Sequence, residues 1–77
     1  MTIYVMNDDH NSFEHVINTL TGTLPMCNIL RAEQMAMIVH QAGICDIYNG
    51  FAPDIYLLYV QLQKAGLTVE IREYNKK

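Results

Sequence analysis

Tryptophan is absent from this chain of 77 residues, and glycine, proline and cysteine are scarce, with 4, 2 and 2 residues respectively. This scarcity excludes collagen-like chains and disordered chains rich in proline and glycine. The composition, 51% hydrophobic and 17% charged, is instead that of a folded globule. A chain of this length buries only about 60 to 65% of its unfolded surface, which leaves no room for a second core. We therefore expect residues 1–77 to form a single domain.

Basic residues are also few. The chain has 5 Lys and Arg and 8 Asp and Glu, which gives a formal net charge of -3. Nucleic acids and anionic membranes bind clustered cations, so neither is an expected partner, and only the tail Asn75–Lys77 is basic. No apolar run approaches the roughly 20 residues of a membrane span, and the N-terminus lacks the order of a signal peptide. The expected compartment is the cytoplasm.

The two cysteines, Cys27 and Cys45, have no CxxC spacing and no secretory context. We expect two reduced, partly buried thiols that act as small hydrophobic groups, with a disulfide as the alternative.

Three short stretches have the composition of β-strands. Thr2–Met6 (TIYVM) is rich in β-branched and aromatic residues, and Ile44–Tyr48 (ICDIY) is similar. Leu67–Ile71 alternates apolar with polar residues, which predicts a strand with one buried face.

Three further stretches have apolar residues at helical spacing. We expect the first helix to begin near Ser12, the second to follow Asn28 and end at Gly43, and the third to carry Pro53 in its first turn and end at Gly66. The predicted apolar faces are Phe13, Val16, Ile17 and Leu20; Ala32, Met35, Ala36 and Val39; and Ile55, Leu58, Tyr59 and Leu62. The predicted fold is α+β in the order β-α-α-β-α-β, a three-stranded antiparallel sheet with three helices packed on one face.

No residue pattern indicates an enzyme. Cys45 and His40 could form a nucleophilic dyad, but they lack a specific spacing. A metal site could be drawn from His10, His15 and His40 with Asp8 or Asp9, again without a recognisable motif. We expect no catalytic residue, metal or cofactor.

The junction MNDDHNSF, Met6–Phe13, concentrates carboxylates and carboxamides directly after an apolar strand. Asn and Asp are the usual residues of turns and helix caps, so a purely local role stays open. His40, however, is expected in the last turn of helix two, where it could meet Asn7 and Asp8. Acceptors grouped beside an apolar patch would suit a primary ammonium, which has three donors and no acceptor.

Asn7-Asp8-Asp9, followed by a capped helix and by Val39-His40-x-x-Gly43, resembles the ClpS adaptor family of the ATP-dependent Clp protease. Further matches are NSFEHV at Asn11–Val16, the connection Leu24-Pro25-x-Cys27, and LQKAGLT at Leu62–Thr68. The resemblance runs from about Tyr4 to Ile71 and is nearest to the cyanobacterial and plastid-like branch.

This resemblance implies a non-enzymatic, monomeric adaptor that binds N-degrons, proteins whose N-terminal residue is of the Phe, Leu, Tyr and Trp class. The adaptor would deliver them to the N-domain of a Clp AAA+ unfoldase. The resemblance implies that the α-amino group is bound by Asn7, Asp8 and His40, with Asp9 in support. It also implies a side-chain pocket lined by Asn11, Phe13, Ala36, Val39 and Leu67.

Three positions and the segment before Asn7 depart from the family pattern. Ala36 stands where many bacterial members have Met, so we expect a wider pocket that accepts Trp or β-branched residues. His10 replaces the usual aromatic. Pro53 replaces an acidic residue that helps to dock the unfoldase, which makes Asp54 the candidate contact. Few residues precede Asn7, whereas family adaptors usually carry an extension used in delivery.

These departures leave three alternatives open. One is a decoy or inhibitor that binds N-degrons without delivering them. Another is a competitor that docks the unfoldase without a useful pocket. The third is a small interaction domain with no degron role, similar in layered architecture to the C-terminal domain of the ribosomal stalk protein.

Overall fold

The computed structural model describes residues 1–73, so the basic tail Asn75–Lys77 lies outside the described residues. Within them the order is β-α-α-β-α-β, as predicted. The strands are β1 (Thr2–Met6), β2 (Ile44–Asn49) and β3 (Thr68–Arg72), and the helices are α1 (Phe13–Thr23), α2 (Ile29–Ala42) and α3 (Ala52–Lys64).

The strands form one antiparallel sheet in the order β2-β1-β3, with β1 in the centre. Val5 of β1 lies opposite Cys45 on β2 and Val69 on β3, and all three side chains are buried on the inner face. Tyr4 points to the outer face, where the Arg72 guanidinium lies 4.7 Å from its ring centroid. The helices cover the inner face, which confirms the predicted α+β class.

Local capping fixes where the first two helices begin. The Ser12 hydroxyl accepts a hydrogen bond from the backbone N–H of His15 at 3.0 Å, and the Asn28 side chain accepts one from Arg31 at 2.9 Å. Gly43 ends α2 with φ 88°, a left-handed conformation that a side chain would strain. These termini agree with the sequence prediction, and α1 ends at Thr23.

The core joins β1 to all three helices. Its most completely buried side chains are Ile3, Val5, Leu20, Ile55 and Leu62. Phe13 departs from the predicted apolar face of α1, because its side chain is 41% exposed. It is the first residue of α1, and its ring meets His40 of α2 edge to face at 6.5 Å instead of entering the core.

Both cysteines are free, as predicted, with Cys45 buried and Cys27 half-buried. Burial raises the pKa of the Cys45 thiol. Over residues 1–73, none of the helices is long and apolar enough to cross a bilayer. The same residues contain no group of three or more side chains placed to hold a metal ion.

Candidate functional site

The loop between β1 and α1 (residues 7–12) meets the C-terminal end of α2. The backbone N–H of Asn7 donates to the carbonyl oxygen of Gly43 at 2.9 Å. Gly43 follows directly after α2, so this bond holds Asn7 beside the last turn of that helix, which carries His40. This backbone hydrogen bond explains why Asn7 lies near His40, as the sequence predicted.

The Asp8 carboxylate is the organising group of this loop. Its Oδ1 accepts from the backbone N–H groups of His10 at 2.9 Å and Asn11 at 3.0 Å, and Asn11 Nδ2 donates to Oδ2 at 2.9 Å. The Thr68 hydroxyl of β3 also donates to Oδ2, at 2.5 Å. The bond from Thr68, followed by those from His10 and Asn11, outweighs partial burial and lowers the pKa of Asp8 from 3.8 to about 2. Asp8 is thus ionised at neutral pH.

The same loop is anchored to the turn between α3 and β3. The Asn11 side chain donates to the Gly66 carbonyl at 2.8 Å, and the ring Nε2 of His15 donates to the Ala65 carbonyl at 2.8 Å. Three connections, to α2, to this turn and to β3, therefore hold residues 7–12 in place.

Asp8 should make the stability of the fold depend on pH in acid. Its pKa in the folded protein, about 2, is below its ordinary value of 3.8, so the folded state binds the proton less readily than the unfolded state. The stabilisation is complete above the unfolded pKa and disappears as the pH falls through about 2. We expect denaturant titrations to show that the wild type is more stable than Asp8→Asn near neutral pH and equal to it at the acid end. A stability difference that does not change with pH would contradict this prediction.

A small cavity opens between this loop and α2. Its volume is about 40 Å³, and its lining residues are Asn7, Asn11, Phe13, Val16, Ala36, Val39 and His40. Val16, Ala36 and Val39 are buried and form an apolar floor, whereas Asn7 and His40 are exposed. We call this cavity the socket.

A wider concavity of about 540 Å³ adjoins the socket and forms its mouth. It is lined by Asn7, Asp8, Asp9, Asn11, Phe13, Met37 and His40. Its lining includes two carboxylates and no Lys or Arg. The mouth therefore favours a cation over an anion.

The structure brings the predicted amine-binding and pocket residues together. Asn7, Asp8, Asp9 and His40 lie at the mouth of the socket. Leu67 is buried one layer deeper, in a void of about 10 Å³ that it shares with Val16 and Val39. Asp54 lies apart from the site residues, exposed in the first turn of α3.

Three residues of the site were not predicted from the sequence. Val16 was assigned only to the core, yet it also lines the socket. Met37 was not predicted as a site residue, yet it is 45% exposed and lines the mouth. Its position three residues before His40 places both on one side of α2, and that spacing was a usable signal. The role of Thr68 depends on a contact between distant parts of the chain, and no sequence pattern marks it.

The described residues form a small α+β domain in which polar acceptors surround an apolar socket. The chain belongs to the ClpS family, because the model of that family, described as ATP-dependent Clp protease adaptor protein ClpS, matches residues 1–69. This family consists of adaptors and not of enzymes.

Cyanobacterial relatives support this assignment. The ATP-dependent Clp protease adapter protein ClpS of Thermosynechococcus vestitus is 34% identical over 67 residues, covering 87% of this chain and 71% of the relative. The proteins of the same name from Synechocystis sp. and Nostoc sp. are each 33% identical over 67 residues, 87% of this chain, and are covered to 68% and 69%. These findings confirm the resemblance and its cyanobacterial affinity.

Proposed function

We propose that residues 1–77 act as one adaptor domain that binds the free N-terminus of a protein with a bulky apolar first residue and delivers that protein to a Clp AAA+ unfoldase. The observation that carries this proposal is the socket itself, with its apolar floor and its rim of acceptors and negative charge. An N-terminal residue is complementary to this site, because its ammonium lies next to its side chain: the ammonium can bind the rim while the side chain enters the socket.

The ammonium is bound at the rim. Asn7 and His40 line both the socket and its mouth, and we expect their side chains to supply the acceptors. Asp8 accepts bonds mainly from its own loop, so its part is to supply a fixed negative charge and to order residues 7–12. Asp9, exposed at the mouth, adds a second charge. A hydrogen bond to a charged group is worth about 1.5 to 3 kcal/mol.

The first side chain enters the socket over Ala36 and Val39. Burying a Leu or Phe side chain contributes roughly 1.5 to 3 kcal/mol. Because the socket is small, about 40 Å³, we expect a lining group to move when a bulky side chain enters. Phe13 is the group best placed to do so, because its ring lies half-exposed at the rim, outside the core.

Ala36→Met should change the ranking of first residues. Ala36 is buried in the floor of the socket, and a longer side chain there reduces the depth available to a ligand. We expect affinity for peptides that begin with Trp to fall about 10-fold, with a smaller loss for Leu, in fluorescence anisotropy titrations. Ala42→Met, on an exposed position of the same helix, is the control. Equal losses for Trp and Leu would show that Ala36 does not limit the size of the socket.

The surface of α3 supports the proposed contact with the unfoldase. Its exposed apolar side chains are Tyr56, Leu57 and Val60, with Phe51 exposed at the N-cap and Asp54 exposed in the first turn. We propose that this face docks the N-domain of the unfoldase and that the chain is a monomer. The role requires the chain to share the compartment of the unfoldase, which we take to be the cytoplasm.

Binding can be tested with fluorescent peptides that begin with Phe, Leu, Trp, Ile or Ala, together with an acetylated Phe peptide. We expect the bulky apolar residues to bind and the Ala and acetylated peptides to bind at least about 10-fold more weakly, because each lacks one of the two groups recognised. Equal affinity for free and acetylated Phe would overturn the proposed binding mode.

Delivery needs a separate experiment. An N-degron reporter is incubated with a Clp unfoldase and its protease, with and without this protein. Faster degradation supports delivery. Slower degradation, together with intact peptide binding, would instead identify a decoy or inhibitor.

A further inference from the structure

A second concave surface lies on the outer side of α2. It has a volume of about 490 Å³ and is lined by Leu30, Glu33, Gln34, Met37 and Ile38. Leu30, Gln34, Met37 and Ile38 follow helical spacing, so they form a stripe that faces away from the core. Leu30 is 61% exposed and Met37 is 45% exposed. We call this surface the α2 groove.

The α2 groove is continuous with the mouth of the socket. Met37 lines both, with the mouth on its His40 side and the groove on its Leu30 side. A chain whose first residue occupies the socket must leave through the mouth. The α2 groove is an apolar surface that such a chain meets as it leaves.

We propose that the α2 groove binds an apolar side chain of the substrate a few residues after its N-terminus. This inference rests on the proposed binding of N-termini and adds a preference for N-degrons that carry a further apolar residue near the N-terminus. From Met37 to Leu30 the helix rises about 10 Å, at 1.5 Å per residue. An extended chain covers that distance with about three residues, at roughly 3.3 Å each. The groove is thus within reach of residues three to five of the substrate.

The residues that line the α2 groove predict that it accepts several kinds of apolar substrate side chain. Leu30, Met37 and Ile38 offer contact area without a directed polar group, and the flexible thioether of Met37 adapts to different shapes. We therefore expect Leu, Met and Phe to be accepted there, and Ser or Gly to contribute little.

The test uses peptides that begin with Phe and continue in a Ser/Gly background, with one Leu placed in turn at positions two to six. Fluorescence anisotropy with the wild type should show that Leu within positions three to five tightens binding about 3- to 10-fold over the background peptide. Leu30→Ser should abolish this gain and leave the affinity for the background peptide unchanged.

Leu57→Ser is a matched control, because Leu57 of α3 is also 61% exposed and lies outside the α2 groove. It should retain the full gain. Thermal unfolding of both variants, each changed at an exposed position, verifies that they are folded.

The outcomes separate this inference from the proposed function. If the background peptide binds through its free amine but no Leu position improves affinity, the α2 groove proposal fails alone. The proposal also fails alone if Leu30→Ser retains the tighter binding that the added Leu causes. If sedimentation shows a dimer that Leu30→Ser dissociates, the groove holds a second copy of the chain and the proposal is overturned. If no Phe peptide binds, the proposed function fails, and this inference with it.

Discussion

Asp8→Asn is expected to lower the affinity for every free N-terminal peptide by about 10- to 100-fold at neutral pH. The variant keeps the size of the side chain and an oxygen that can accept from the loop, but it removes the negative charge beside the ammonium. Two unit charges about 4 Å apart attract by roughly 4 kcal/mol near a protein surface, and partial exposure to water reduces this. A loss of about 1.4 to 2.8 kcal/mol corresponds to the stated range.

Two control variants isolate the effect of charge. Asp46→Asn removes the same charge from an exposed position on β2 and should leave binding almost unchanged. Thr68→Val removes a donor to Asp8 but leaves the carboxylate ionised, so it should cause a smaller loss than Asp8→Asn. If Asp8→Asn bound free and acetylated peptides as the wild type does, Asp8 would only order the loop.

Leu62→Ala is expected to destabilise the fold by about 3 kcal/mol, within the 2 to 5 kcal/mol usual for a fully buried Leu. Leu62 is completely buried near the end of α3, and its carbonyl oxygen accepts from the backbone N–H of Leu67 at 3.2 Å. For a chain of this size the Tm should fall by at least about 12 °C, measured by circular dichroism.

The matched control is Leu57→Ala on the exposed face of the same helix, which should change stability by about 0.5 kcal/mol or less. Similar losses for the two variants would contradict the assignment of the core side of α3. At temperatures below their Tm, both variants should still bind a peptide that begins with Phe, because neither Leu62 nor Leu57 lines the socket.

Much of the fold could be predicted because its signals are local. Ser12, Asn28 and Gly43 mark helix ends through bonds or conformations that span only a few residues. The alternation at Val69 and its neighbours marks a strand with one buried face. Phe13 was harder to predict, because helical spacing alone cannot show that its ring meets His40 of α2 and stays exposed instead of entering the core.

The site was predictable only in outline. The resemblance to a family indicated which residues belong to it. The structure places most of them around the socket and its mouth, whereas Leu67 lines a smaller void and Asp54 lies on α3. The resemblance could not indicate that Asp8 is engaged by Thr68 from the other end of the chain or that Asn11 reaches the Gly66 carbonyl. Such contacts depend on tertiary packing, and they assign Asp8 a part in ordering the loop in addition to its charge.

Residue-by-residue NMR titration tests the central claim most directly. With isotope-labelled protein and a short peptide beginning with Phe, we expect the largest amide shifts at Asn7, Asn11, Ala36, Val39 and His40, which line the socket. The acetylated peptide should leave these signals almost unmoved at the same concentration. Equal shifts with both peptides, or shifts concentrated on α3 instead of the socket, would contradict the proposal that this cavity binds a free N-terminus.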